Sequence, residues 1–271
     1  MIWLNGSLVD EARAEISVLD HGLTVGDGVF ETVKSVAGRP FALTRHLDRL
    51  VRSATGLGLP APDLDQVRAG VAAVLAANPM PLGRLRITYT GGLAPLGSER
   101  GDAPPTLVIA LGSAAERPDS TAVATAPWTR NEHSAVAGLK TTSYAENVVA
   151  LAHARRQGAT ETLFANSAGQ LCEGTGSNVF VVLDGRLLTP PLASGCLAGI
   201  TRELVAQWCG AEEAELPYAV LREADEVFLT STLRDVQAVH RIDDRELPAP
   251  GPVTAKAMAH FAARAADDLD P

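Results

Sequence analysis

The sequence has little that would tie it to a membrane, a nucleic acid, a disulfide framework or a metal. Among its 271 residues are three cysteines, Cys172, Cys196 and Cys209, an odd number without disulfide-framework or zinc spacing. Positive charge is short: 23 Lys+Arg stand against 32 Asp+Glu, a formal charge of -9. A net-acidic surface repels a phosphate backbone, and no basic run offers a local exception, so nucleic acid is not an expected partner. Every apolar run is broken by Gly, Pro or a charge well before the ~18 residues that a spanning helix needs. Met1-Ile2-Trp3-Leu4-Asn5-Gly6 lacks a charged stretch leading into an apolar one, so no secretory signal is expected. The six histidines form no HExxH-type pair, and no carboxylates cluster at ligand spacing, so no metal is expected. Aromatic residues make up only 4% of the chain, but 46% of it is hydrophobic, enough for one large or two smaller cores. The expectation is a soluble, cytoplasmic globular protein.

What is present reads as a mixture of strands and helices. Short strands at Ile2–Leu4 and Ser7–Val9 flank an Asn5-Gly6 hairpin signal. Residues Gly28–Ser35 alternate as a strand does. Thr44 is a candidate N-cap for a helix through about Ala54, and Asp63 for a second helix that Asn78-Pro79 stops. Strands Arg84–Thr90 and Thr106–Leu111 follow, joined by a Gly/Pro-rich loop. The polar run Gly112–Ser120 is a candidate linker. Beyond it come a helix from about Tyr144 to Gln157 and strands near Glu161–Ala165, Gly169–Glu173, Asn178–Leu183 and Arg186–Thr189. A helix from about Gly199, a strand at Glu226–Thr230 and a helix over Pro252–Ala266 complete the pattern. Strict βαβ alternation is missing, which predicts an α+β or mixed α/β protein in two domains, a smaller one over residues 1–115 and a larger one over 116–271.

Four segments could carry chemistry. In Gly138-Leu139-Lys140-Thr141-Thr142-Ser143-Tyr144, one of only three lysines stands between apolar residues and a helix start. A lysine in a dry pocket loses charge and becomes a nucleophile able to form a Schiff base; the alternative is a solvated surface lysine. In Cys172-Glu173-Gly174-Thr175-Gly176-Ser177-Asn178, Glu173 ends a strand before a small-residue loop, either aimed into a cleft or merely exposed. The GxG there precedes a β-branched strand, not a helix, so a Rossmann phosphate turn is excluded. Gly195-Cys196-Leu197-Ala198-Gly199-Ile200-Thr201-Arg202 turns into a helix whose free N–H groups, with the Thr201 hydroxyl, suit a phosphate or are simply capped. Phe228-Leu229-Thr230-Ser231-Thr232 ends a buried strand in three hydroxyls, either a plain strand end or a second phosphate grip.

A lysine, then EGxxSN, then LxGITR, then a strand ending TST resembles the fold-type IV pyridoxal-phosphate enzymes, the class IV aminotransferases and their lyase relatives. Leu19-Asp20-His21-Gly22, Gly26-Asp27-Gly28-Val29-Phe30-Glu31-Thr32 and His46-Leu47-Asp48-Arg49-Leu50 extend the resemblance over nearly the whole chain. It implies pyridoxal 5'-phosphate as cofactor. Lys140 would hold it covalently and then shuttle protons, and Glu173 would pair with the pyridine nitrogen. Arg49, the Ile200 and Thr201 amides, the Thr201 hydroxyl and Thr232 would hold the phosphate. Leu197 would pack beneath the ring, with Tyr144 near its phenolic oxygen. It also implies a homodimer.

Within that family the substrate residues decide. D-amino-acid aminotransferases grip the carboxylate with an arginine in Thr-Arg-Gly, where this chain reads Thr90-Gly91-Gly92; Arg100 is a substitute from the same loop. Arg86 stands where branched-chain enzymes carry an arginine. The opening MIWLNG, the segment LDHGLTVGDGVFET and the Lys140-to-Tyr144 spacing are most similar to bacterial 4-amino-4-deoxychorismate lyases, which release pyruvate and 4-aminobenzoate for folate synthesis. The alternatives are an aminotransferase for branched-chain or D-amino acids and, more distantly, a non-catalytic cofactor-binding protein. Arg86 and Arg100 are the candidate substrate residues.

Overall fold

The computed structural model describes residues 1–271 as two compact units. They are not two uninterrupted spans, as a single cut near residue 115 would make them. The first unit is Met1–Glu116 together with Leu139–Tyr144 and Leu269–Pro271; the second is Arg117–Gly138 and Ala145–Asp268.

The first unit opens with β1 (Ile2–Leu4) and β2 (Ser7–Val9). Asn5 and Gly6 both have positive φ, +46° and +93°, as a tight hairpin turn requires. A short helix α1 (His21–Thr24) is capped by the Asp20 side chain. Then come β3 (Gly28–Val36), β4 (Arg39–Pro40), α2 (Leu43–Gly56), α3 (Leu64–Ala77), β5 (Leu82–Thr90) and β6 (Thr106–Ser113). The strands form an antiparallel sheet in the order β2-β1-β6-β5-β3-β4. Its core brings Leu47, Leu50 and Ala54 of α2 and Val67, Val71 and Val74 of α3 together with Val29, Val33, Leu85 and Ile109 of the sheet. Those helical residues recur every three or four positions, which puts them on one face. Asp63 caps α3 as its sequence predicts, accepting from the Asp65 and Gln66 amides. Thr44 does not cap α2. The N-cap is Ala42, in the left-handed region at φ +53°, and the Thr44 amide and hydroxyl donate to Asp270, a partner no local pattern reveals.

The second unit comprises β7 (Ser120–Arg130), α4 (Ala145–Arg156), β8 (Glu161–Asn166), β9 (Leu171–Gly174), β10 (Asn178–Leu183) and β11 (Arg186–Thr189). It continues with α5 (Ile200–Cys209), β12 (Glu212–Glu213), β13 (Glu226–Ser231), β14 (Asp235–Ile242), β15 (Arg245–Glu246) and α6 (Pro252–Asp267). The sheet order is β12-β11-β10-β13-β14-β7-β8-β9, with β15 beside β14. The β14–β7 and β7–β8 pairings are parallel, whereas β8–β9, β10–β11, β10–β13 and β13–β14 are antiparallel. Val179, Val181, Val227 and Leu229 alternate onto one core. Phe180 and Phe228, cross-strand partners, stack with their ring centroids 4.8 Å apart. The fold is thus mixed α/β, and no helix is long and apolar enough to cross a membrane.

Candidate active site

In the first unit the chemistry gathers around β3. Glu31, fully buried on this strand, accepts from Nε and Nη2 of Arg49, both at 2.7 Å. Nδ1 of His46 lies 2.6 Å from its second oxygen. His46 and Arg49 are three positions apart on α2, so they share its sheet-facing side. Burial by itself would push the Glu31 carboxyl up, but the Arg49 guanidinium and His46 outweigh it and hold it well below the usual carboxylate range. Burial likewise keeps His46 below its ordinary value, against the pull of Glu31. The imidazole is therefore neutral, with its proton on Nδ1, because a carboxylate only accepts. Glu31 and His46 lie in motifs that carry the resemblance, but the sequence assigns neither a role. Their spacing to Arg49, one on a strand and one on the next helix, carries no local signal.

Lys140 is fastened to the same strand. The Phe30 amide donates to the Lys140 carbonyl at 3.0 Å, the Thr142 amide donates to Gly28 O at 2.8 Å, and the Lys140 amide donates to Ser53 Oγ at 3.2 Å. Its Nζ stands 4.4 Å from the centroid of the Phe30 ring and 5.9 Å from that of Tyr144. Tyr144 meets Phe30 edge-on at 5.1 Å. The Arg86 guanidinium lies over the same Phe30 ring, 3.3 Å from its centroid. The Phe30 ring thus brings the Arg86 guanidinium and the Lys140 amine together. Arg86 has one weak hydrogen bond, from Nε to Thr88 Oγ1 at 3.4 Å, and no carboxylate within ion-pair distance. Burial pushes its pKa down to about 10. A half-buried guanidinium without an anion favours an anionic ligand.

Arg100 is placed differently. Its Nε and Nη2 donate to Asp27 at 2.8 and 2.6 Å, its Nη1 donates to Gly58 O, and Nη2 also donates to Leu57 O. His21 joins the cluster, with Nδ1 at 2.8 Å from Asp27 and Nε2 at 2.8 Å from Gly97 O. The candidate carboxylate grip is therefore a fastener of the Gly91–Pro105 loop. Gly91 has a steric reason too, since a Cβ there would sit 2.7 Å from Asp27 Oδ2. The Asp27 that binds Arg100 leaves no room for a side chain at the Thr-Arg-Gly position.

The second unit collects the remaining candidates. Glu173, at the end of β9, accepts from the Leu197 amide at 2.9 Å, and Arg130 Nε lies 3.5 Å from its other oxygen. Asn178 opens β10 and donates from Nδ2 to Leu197 O at 2.8 Å, which ties the loop before α5 to the sheet. A Cβ on Gly199 would meet Asn178 Oδ1 at 2.0 Å; only glycine fits at this helix start. Gly199 is the N-cap and offers no side chain, while Ile200 and Thr201 are each 4% exposed. The first amides of a helix have no partner inside it. Beside them in the β10–β13 register, Asn178 pairs with Thr230. Thr230 Oγ1 and Ser177 Oγ are buried without hydrogen-bond partners, and Thr232 is half-buried just beyond β13. A buried, uncapped helix end next to unsatisfied hydroxyls has the donor set of an anion cradle.

A lysine seated on a strand beside an unpaired arginine, and a carboxylate strand followed by an anion cradle, are the parts of an enzyme that handles an amine and a phosphate. The family model for amino-transferase class IV matches residues 28–242, and the chain belongs to that family. A putative branched-chain-amino-acid aminotransferase from Methanocaldococcus jannaschii is 34% identical over 90% of this chain and 88% of its own. The bifunctional aminodeoxychorismate lyase / D-amino acid transaminase of Mycobacterium tuberculosis is 31% identical over 92% and 93%. Among solved structures, a hypothetical aminotransferase from Mycobacterium tuberculosis in its PLP-bound form aligns with a TM-score of 0.87 at 28% identity. That alignment covers 99% of this chain and 100% of the other. The protein is thus an enzyme of the class IV aminotransferase and lyase kind.

Proposed function

We propose that this is a pyridoxal-phosphate enzyme whose substrate is 4-amino-4-deoxychorismate and whose products are pyruvate and 4-aminobenzoate. The observation that carries the substrate reading is Arg86, the cation held beside Lys140 on Phe30 with no carboxylate of its own. It offers one fixed grip for a ring carboxylate. The D-amino-acid arginine is missing at Gly91, and Arg100 is committed to Asp27. A single permanent grip suits a lyase with one anionic substrate better than a transaminase that must hold two unlike acids in turn. The 31% identity to a bifunctional lyase and transaminase supports the same reading.

The residues present fit the cofactor. The uncapped start of α5 and the unpartnered hydroxyls of Ser177 and Thr230 call for an acceptor-rich dianion. Bound pyridoxal phosphate supplies an electron sink for carbanion chemistry. Lys140 would attach it covalently, and its amine would then serve as the base for the proton whose removal starts elimination. Glu173 would pair with the pyridine nitrogen. The Ile200 and Thr201 amides, the Thr201 hydroxyl, Thr232 and the Arg49 guanidinium would hold the phosphate. Leu197 would pack beneath the ring, and Tyr144 would lie near its phenolic oxygen. Loss of pyruvate leaves an aromatic amine, and aromatisation drives the reaction.

Branched-chain or D-amino-acid transamination is the second reading, favoured by the 34% identity to a putative branched-chain enzyme. Stopped-flow spectra separate the two. Pyruvate and 4-aminobenzoate should appear from aminodeoxychorismate faster than D-alanine or L-leucine converts the enzyme-bound cofactor. Conversion by either amino acid at a rate matching lyase turnover would reverse the assignment. We also propose a homodimer, supported by the exposed apolar side chains of Val18, Leu19, Leu23, Leu93 and Leu96 in the first unit; a monomer in sedimentation at micromolar concentration would rule it out.

A further inference from the structure

Arg130 ends β7 with its side chain 14% exposed, and three contacts fix its guanidinium. Cζ lies 4.2 Å from the centroid of the Phe164 ring, itself fully buried on β8. Nη1 donates to Glu146, and Nη2 donates to Asn147 Oδ1 at 2.8 Å; both partners are in the first turn of α4. Nε is buried without a hydrogen bond and lies 3.5 Å from Glu173 Oε1. A second route runs through Asn147, whose Nδ2 donates to the Thr175 carbonyl in the loop that follows Glu173. The Leu197 amide also donates to this carboxylate, and two thiols, Cys172 and Cys196, lie within its electrostatic reach. Burial raises both thiols, Cys196 to about 11, so neither brings a negative charge at neutral pH.

We propose that Arg130 is a positioning residue for Glu173. It sets the proton affinity of that carboxylate and aligns it against the Leu197 amide. An arginine stays charged under all working conditions, and an opposite charge at this distance favours the ionised form of a carboxyl group. Its contact with the Phe164 ring and the two α4 anchors hold the guanidinium in place beside Glu173. The inference rests on reading Glu173 as the partner of the pyridine nitrogen. A carboxylate weakened as a base leaves the shared proton on that nitrogen, where the chemistry needs it.

The test is a 13C-carboxyl NMR titration of the full-length chain stripped of cofactor, with the Glu173 signal assigned by Glu173→Gln. Arg130→Gln should raise the Glu173 midpoint by about one unit. In the loaded enzyme, kcat should fall about tenfold, the equivalent of one pKa unit, at unchanged KM, with Arg130→Lys restoring most of it. Glu146→Gln, at a half-exposed position, does not depend on Arg130→Gln folding. It removes an anion that shares the guanidinium, so the Glu173 midpoint should drop. An unmoved midpoint in Arg130→Gln, or in Glu146→Gln should the former not fold, overturns the proposal. If Glu173→Gln keeps the wild-type cofactor spectrum and turnover, it is the reading of Glu173 that fails, while the titration still decides the coupling to Arg130.

Discussion

Arg49 and Glu31 form a pair whose members cannot be removed singly without cost. Both are buried and joined by two parallel hydrogen bonds, the strong bidentate form. Arg49→Ala should therefore have two effects. Leaving the Glu31 carboxylate buried without its partner should cost about 3–5 kcal/mol in a denaturant titration. Loss of the positive charge should also weaken cofactor binding about 10- to 150-fold, as expected for a charge-assisted bond of about 1.5–3 kcal/mol. An apo-protein of wild-type stability would show that the Glu31 pair contributes nothing. Lys140→Ala should abolish the visible absorbance of the purified protein and nearly all turnover; unchanged absorbance and rate would end the cofactor reading. Arg86 and Arg100 should behave oppositely. Arg86→Gln removes no ion pair, so it should raise KM for a carboxylate substrate with little change in Tm. Arg100→Gln breaks the Asp27 pair and should lower Tm with less effect on KM. Equal effects on KM would place both at the substrate.

Among the elements, the loop from Gly91 to Pro105 carries a pH dependence. Both ring nitrogens of His21 face acceptors, the Asp27 carboxylate and the Gly97 carbonyl, and only an imidazolium can donate to both. The hydrogen bond to Asp27, followed by that to Gly97, raises His21 above its ordinary 6.5, while burial and Arg100 oppose it. A raised histidine stabilises fully below the unfolded value, and this contribution is lost as pH rises through the folded value. Amide exchange in the loop should accordingly speed up on going from about pH 6 to about pH 9, more than elsewhere in the first unit, and His21→Gln should flatten the difference. Helix α5 offers a second test. With Asn178 Oδ1 occupying the space of a Cβ at Gly199, Gly199→Ala should displace the helix start and weaken cofactor binding, as read by equilibrium titration. Wild-type affinity in that variant would take the α5 amides out of the phosphate site.

At the scale of the molecule, the sequence was most readable where pattern and structure share one period. β10, β11, α3 and α6 lie within a residue or so of where alternation, capping and helical spacing put them. Two neighbouring interior strands of the larger sheet, β7 and β14, leave no clear pattern in the sequence. β7 carries Pro127 and a register shift between Thr125 and Thr129, and β14 shifts between Val239 and Arg241. Such irregularities break the period of two that marks a strand. The candidate site divides the same way. Lys140, Glu173, Thr201 and Thr232 sit in short motifs, and the resemblance names them as candidates. Glu31, His46 and Arg130 act through partners distant in sequence, and the difference between Arg86 and Arg100 appears only once Asp27 is in place.

The return of Leu139–Tyr144 to the first unit bears on how members of this family can exchange parts. A recombinant gene that joins one parent to another at residue 116 would separate β3 from the segment whose Lys140 carbonyl receives the Phe30 amide and whose Thr142 amide finds Gly28. The lysine would then arrive from a different ancestor than the strand it lies on. Crossovers that inherit 1–116 and 139–144 from the same parent keep that seam intact. Functional hybrids should accumulate among such paired exchanges and be depleted among single cuts.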